Sequence, residues 1–306
     1  MIERIETDET WRLDEFPVAR KKIFLSHAAV TALPRRVADA IVAYTEASTT
    51  GELEIGRVFL RDMERVRAAS GELIGAKASE IALLGPTTLG LALVANGFPW
   101  QEGDEIIIHA DDYPANVYPW RDLERRGVRC VPLRPESPGA ITPELVEAAL
   151  SKRTKMVALA SCDFLSGYRI NHGRIGAMLR EMGIYFCLDA IQTVGAFPTL
   201  VEHVDFLCAD SHKWMLGPMT AGIVYVREEL QDMLRPTLLG AWNVQSPNFI
   251  PQDEIVFEAG ARRYEPGVLN TPGLFGMKAA IDLFLEAGPE AIGDRILELK
   301  RHLVEG

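Results

Sequence analysis

Four short stretches carry the residues able to do chemistry. The first is Gly85-Pro86-Thr87-Thr88-Leu89-Gly90, with two hydroxyls just after an apolar run. Backbone N–H groups at a helix start, together with two hydroxyls, bind phosphate; equally, Thr87 or Thr88 caps the helix. The second is His109-Ala110-Asp111-Asp112-Tyr113-Pro114. Tyr113 is either core packing or a stacking platform, and the spacing of His109, Asp111 and Asp112 fits no standard zinc set. The third is Asp189-Ala190-Ile191-Gln192, after Ile-Tyr-Phe-Cys-Leu. A carboxylate ending so apolar a run needs a partner, a structural Arg or a cationic ligand atom, because a lone buried charge is costly. The fourth is Asp210-Ser211-His212-Lys213-Trp214. Desolvation between an apolar strand and Trp-Met-Leu-Gly-Pro lowers an amine's pKa and makes Lys213 a candidate Schiff-base nucleophile. The alternative is a lysine whose stem lies along apolar surface with its charge in water.

Each stretch follows a run that reads as a strand. Strands are predicted at 81–84, 105–109, 129–133, 154–160, 184–189, 205–209 and 222–226. Helical patterns lie at 34–45, 60–75, 115–127, 142–152 and 172–183; Thr142 and Pro143 open the fourth and Gly183 closes the fifth. This alternation predicts an α/β fold with a mostly parallel seven-stranded sheet between helices. In such sheets ligands bind beyond the carboxyl ends of the strands, so all four stretches share one rim. Residues 1–22 read as an N-terminal arm and 23–250 as one large domain. After Pro251 the rhythm stops, and a Gly/Pro-rich loop with helices at 274–287 and 289–304 reads as the start of a smaller domain, 251–306.

Composition removes several function classes. With 32 Lys and Arg against 43 Asp and Glu, the net charge of −11 makes a poor partner for nucleic acid or an anionic membrane surface. Residues 81–101 lack charge, but Gly85-Pro86 and Asn96-Gly97-Phe98-Pro99 cut them into pieces too short to cross a bilayer. The acidic start, six acids against two bases before Phe16, is no signal peptide. Cys130, Cys162, Cys187 and Cys208 stand in apolar runs without a C-x-x-C, as free thiols do in a reducing, cytoplasmic setting. No G-x-G-x-x-G follows a strand and no G-x-x-x-x-G-K-[ST] occurs, which argues against a nucleotide fold.

Taken together, the four stretches fit one ligand. It has a phosphate for Thr87, Thr88, Ser211 and His212, an aromatic ring for Tyr113, and a basic ring nitrogen for Asp189. Its phenolic oxygen suits Gln192 and its aldehyde Lys213. That ligand is pyridoxal 5'-phosphate.

The run CLDAIQTVGAFP…VDFLCADSHKWMLGPMTAGIVYVRE resembles the signature of the class V aminotransferase superfamily of fold type I, which holds cysteine desulfurases, selenocysteine lyases and isopenicillin N epimerase-like proteins. GPTTLGLALVANG, DDYPANVYPW, SGYRI and IFLSHAAVTALP resemble the same group, so the likeness runs from about residue 23 to about 273. It implies a homodimeric enzyme acting on an amino-acid-like substrate by elimination, epimerisation or transamination. It implies Lys213 as the Schiff-base lysine, Asp189 at the pyridine nitrogen, Gln192 at the 3-oxygen and Tyr113 stacked on the ring. Thr88 with Thr87, Ser211 and His212 would hold phosphate, and Trp242 resembles an aromatic reaching the neighbouring subunit's phosphate. Asp163 stands where relatives carry Asn or Gln, and Val268 where many carry a hydroxyl. The family's carboxylate-gripping arginine and the desulfurases' persulfide cysteine come from a C-terminal region beyond the likeness, with Arg262 and Arg263 as conceivable substitutes for the clamp. A catalytically incomplete scaffold, or one half of a split enzyme, is the competing expectation.

Overall fold

A computed structural model describes residues 1–305, the side chains of Ile55 and Phe59 aside. The strands are β1 Ile81–Leu83, β2 Glu105–His109, β3 Arg129–Leu133, β4 Thr154–Ala160, β5 Tyr185–Asp189, β6 Phe206–Asp210 and β7 Gly222–Val226. They form one sheet in the order β1-β7-β6-β5-β4-β2-β3, with β7 antiparallel to both neighbours and every other pairing parallel. The helices are α1 Ile2–Thr7, α2 Glu9–Glu15, α3 Arg35–Thr49, α4 Ile55–Arg57, α5 Met63–Ile74, α6 Thr87–Gly97, α7 Tyr118–Arg121, α8 Pro143–Ala149, α9 His172–Glu181, α10 Thr271–Ala287 and α11 Pro289–Glu305.

Alternate strand residues feed two cores. Ile107, Val157, Leu159, Phe186, Leu188 and Leu207 face α5, α9 and α10, while Ile106, Ile108, Met156, Cys187, Phe206 and Cys208 face α6 and Trp120. Burial on both faces explains why the strands are apolar without alternation. The core also runs on across residue 251: Leu274, Met277, Ile281 and Phe284 of α10 join the first cluster. The change of rhythm at Pro251 therefore marks no break in the packing.

One expectation changes. The helix predicted over 115–127 is instead a 3-10 turn at Pro114–Asn116, the short α7 and a second 3-10 turn at Asp122–Arg126, closed by Gly127 in the left-handed conformation. Pro119, which has no N–H to give, and Val117 at φ −124° break the regular ladder. The uncharged stretch 81–101 resolves into β1 and the eleven-residue α6, and among the described residues no helix is long and apolar enough to cross a membrane.

Candidate active site

β6 ends at Asp210 and delivers Lys213 on a tight turn. Gly217 N–H donates to Ser211 O at 2.8 Å, Leu216 N–H to Lys213 O at 3.2 Å, and Thr220 N–H to Asp210 Oδ2 at 3.2 Å. Leu216 and Thr220 are left-handed, at φ 53° and 59°. Such backbone costs about 1–3 kcal/mol per residue and persists only where its surroundings hold it, as at functional turns. Lys213 Nζ lies 5.4 Å from the centre of the Tyr113 ring and forms no hydrogen bond or ion pair among the described residues. Burial lowers its pKa, against the pull of the Asp189 and Asp210 carboxylates.

Asp189 ends β5 with 5% of its surface exposed. Burial, then the Asp112 charge, push its carboxyl up to about 7, against the Ile191 N–H and Lys213. Ile191 N–H donates to its Oδ1 at 3.1 Å. Among the described residues no Arg pairs with it, and Lys213 is the cation acting on it. Next to it, Gln192 Oε1 accepts the Trp214 indole N–H at 3.0 Å, and its Nε2 donates to Ala28 O at 3.2 Å. With one hydrogen bond made at each end of the amide, Gln192 still has its second amide hydrogen to offer a ligand, which suits an oxygen acceptor.

At the phosphate end, α6 comes unusually close to the sheet. A Cβ on Gly90 would lie 2.6 Å from Val224 Cγ2 and 2.8 Å from Cys208 Sγ. This contact seats the first turn of α6 over β6 and β7. Thr88 is exposed there with its hydroxyl uncommitted among the described residues. Thr87 instead turns inward and accepts the Asp210 N–H at 2.9 Å. Ser211, expected at the phosphate, is fully buried and gives its hydroxyl proton to Pro218 O at 2.8 Å. His212 Nδ1 lies 3.2 Å from Asp210 Oδ1, and the His212 carbonyl accepts the Thr31 N–H at 2.8 Å.

Sequence reasoning missed His27 and Trp214. The segment holding Ala28 and Thr31 bridges Gln192 and His212, and His27 packs on Trp214 with ring centres 5.4 Å apart. Burial lowers the His27 pKa, and its Nδ1 is 3.0 Å from Thr31 Oγ1. The available signals were the position of Trp214 directly after Lys213 and a histidine inside IFLSHAAVTALP. Asp163 shapes its own loop, its Oδ1 accepting from Leu165 N, Ser166 N and Ser166 Oγ. Arg263 is spent on Gln231 O and Asp232, and Arg262 faces Glu258 at 3.5 Å. Trp242 belongs to the segment after β7, edge-on to Phe249, in a cavity wall with Arg67, Arg262 and Glu265.

Pyridoxal phosphate fits these residues. Asp189 is a buried carboxylate lacking an Arg partner, Gln192 presents a donor, Lys213 is a desolvated amine, and Thr88 stands at a helix start.

Comparison with known proteins gives the family. The class-V aminotransferase family model matches residues 23–306. A cysteine desulfurase of Salmonella newport is 30% identical over 311 residues, covering 95% of this chain and 75% of the relative. A probable cysteine desulfurase of Methanothermobacter thermautotrophicus is 26% identical over 295 residues, covering 94% and 73%. Among solved structures, apo cysteine desulfurase from Thermococcus onnurineus superposes with a TM-score of 0.84 at 24% identity, covering 93% of this chain and 72% of that one. C-DES, in a variant with glycine covalently linked to its PLP cofactor, gives 0.80 at 21% identity, covering 91% and 75%. The match across residues 23–306, together with the lysine, carboxylate and amide gathered at one rim of the sheet, makes this chain a member of the class-V aminotransferase family.

Proposed function

We propose that this chain transforms an amino acid at its Cα, with Lys213 as the group that holds the cofactor and then moves the proton. It is a pyridoxal phosphate enzyme of the class-V family. The observation that carries the reading is the half-buried Lys213 amine, 5.4 Å from the centre of the Tyr113 ring and without a hydrogen bond or ion pair among the described residues, with the buried Asp189 carboxylate among the charges acting on it. Bound there, the cofactor supplies an aldehyde carbon for an amine and a cationic ring that accepts electron density. Each of the chain's own residues then has a task. Burial favours the neutral, nucleophilic form of Lys213 Nζ, and the same atom, once released, takes a proton from the substrate Cα. Asp189 holds the proton on the ring nitrogen. Gln192 donates to the 3-oxygen from an amide fixed by Trp214 and Ala28.

Elimination, epimerisation and transamination share this Cα step. A desulfurase reaction also needs a thiolate to receive sulfur, and the chain's thiols are ill suited. Burial pushes Cys130 and Cys162 up to about 11, and Cys187 and Cys208 are fully buried. Sulfur removed from a cysteine substrate at this site would therefore not pass to any of these four thiols. The test is borohydride reduction of the protein incubated with pyridoxal phosphate, followed by peptide mass spectrometry. Phosphopyridoxyl on Lys213, a near-visible absorbance band and loss of both in Lys213→Ala are expected. No label on Lys213 overturns the reading. Turnover is then assayed across an amino-acid panel that includes cysteine.

A further inference from the structure

Tyr113 lies with its ring centre 5.4 Å from Lys213 Nζ, yet 49% of its surface is exposed and it meets Phe164 edge-on at 5.4 Å. What fixes it lies behind it. Tyr113 N–H donates to Asp112 Oδ1 at 2.7 Å, Asn116 Nδ2 donates to Asp112 Oδ2 at 3.0 Å, and the Trp120 indole N–H donates to Asn116 Oδ1 at 2.9 Å. Asp112, Asn116 and Trp120 are 8%, 1% and 0% exposed. Each oxygen of the carboxylate, both ends of the amide and the single indole donor are used, so each geometry is fixed by the next. Four-residue spacing alone does not produce this, because the segment changes helix type between Asn116 and Trp120. Trp120 is locked in the core beside Leu123 and Phe98, so the relay runs from rigid packing to the aromatic at the rim.

Among the described residues Asp112 has no Lys or Arg partner. Its buried charge faces Asp163 and Asp189, with His109 and its hydrogen-bond donors favouring ionisation. Burying a carboxylate without a cation is costly, and the return on that cost is the turn that carries Tyr113. We infer that Asp112, acting through Asn116 and Trp120, is a positioning residue that sets the tilt of Tyr113 against the ring held at Lys213. The inference rests on the function proposed above and goes beyond it.

The test is a double-mutant cycle read by cofactor affinity and by the visible circular dichroism of the bound cofactor, which reports ring geometry rather than turnover. Asp112→Ala is expected to weaken affinity about 10-fold, the size of one or two lost hydrogen bonds, and to lower the dichroic band by at least half. Trp120→Phe removes the indole donor while keeping an aromatic in the core, and should act in the same direction at about 3-fold. In a Tyr113→Ala background neither change should weaken affinity further. Unchanged affinity and dichroism in Trp120→Phe, or effects that add to Tyr113→Ala, would overturn the inference. Wild-type protein that takes up no cofactor on Lys213 would overturn the functional reading itself, a distinct result.

Discussion

Asp189→Asn should make the cofactor-free protein more stable, and increasingly so as pH rises. The carboxyl is raised from 3.8 to about 7 in the folded state, chiefly by burial and then by Asp112. A folded-state pKa above the unfolded one means that the native state holds the proton longer, so stability falls as pH climbs from the unfolded value through the folded one. Moving the carboxyl from 3.8 to about 7 penalises the ionised native state by about 4 kcal/mol at 1.36 kcal/mol per unit. Asparagine removes the charge and keeps an oxygen for the Ile191 N–H. The stability gain of the variant should thus be near zero below about pH 4, grow through the window and level off above about pH 7. Urea unfolding of both apoproteins across this range measures it, and taking the difference cancels the other titrating groups. Pyridoxal phosphate should reverse the order, stabilising wild type more than the variant, because a pyridinium answers the carboxylate that asparagine lacks. An Asn variant less stable than wild type at about pH 8, or a difference flat with pH, would refute this account of the buried charge.

Thr87 and Thr88 should part company. Thr87→Val strands the buried Asp210 N–H and should cost about 1–3 kcal/mol in chemical denaturation, whereas Thr88→Ala should leave unfolding unchanged and weaken cofactor affinity measured by absorbance titration. Glu265, fully buried against Arg67 at 2.5 Å and accepting the Leu83 N–H at 2.7 Å, caps the outer edge of β1. Glu265→Ala leaves the buried Arg67 charge with only the exposed Glu64 carboxylate at 3.5 Å, and a loss of about 3 kcal/mol in the urea midpoint analysis is expected. Gly195 sits at φ +92° with a would-be Cβ 2.4 Å from Trp214 O. Gly195→Ala should lower the thermal midpoint and disturb Trp214 fluorescence together.

The strands were the most legible part of the sequence. Both faces of the sheet's centre are covered, so β2, β4 and β7 read as largely apolar runs, and their limits in the structure, like those of the edge strand β3, match those predicted. The placement of Lys213, Asp189 and Tyr113 at the carboxyl ends of strands was legible for the same reason, since each stands at or shortly after the end of such a run. The segment after Tyr113 was not. Its helical spacing hides a proline and a side-chain relay that replace backbone bonds. Ser211 was misleading because its hydroxyl partner, Pro218 O, is brought near by left-handed Leu216 and Thr220, and neither residue type signals that conformation. Trp214 and His27 escaped notice because their roles arise from contacts between segments nearly two hundred residues apart.

The contact at Gly90 has a consequence for ligand selection. With no room for a methyl group between α6 and the Cys208–Val224 pair, the helix and β6 move as one piece. The hydroxyl at the head of that helix and the amine just past the end of that strand are then two jaws of a gauge whose opening is set by the helix backbone resting on the Cys208 and Val224 side chains. Under the proposed function a molecule would be admitted by its length from phosphate to carbonyl, and replacing the glycine would change the setting of the instrument rather than the chemistry of either jaw.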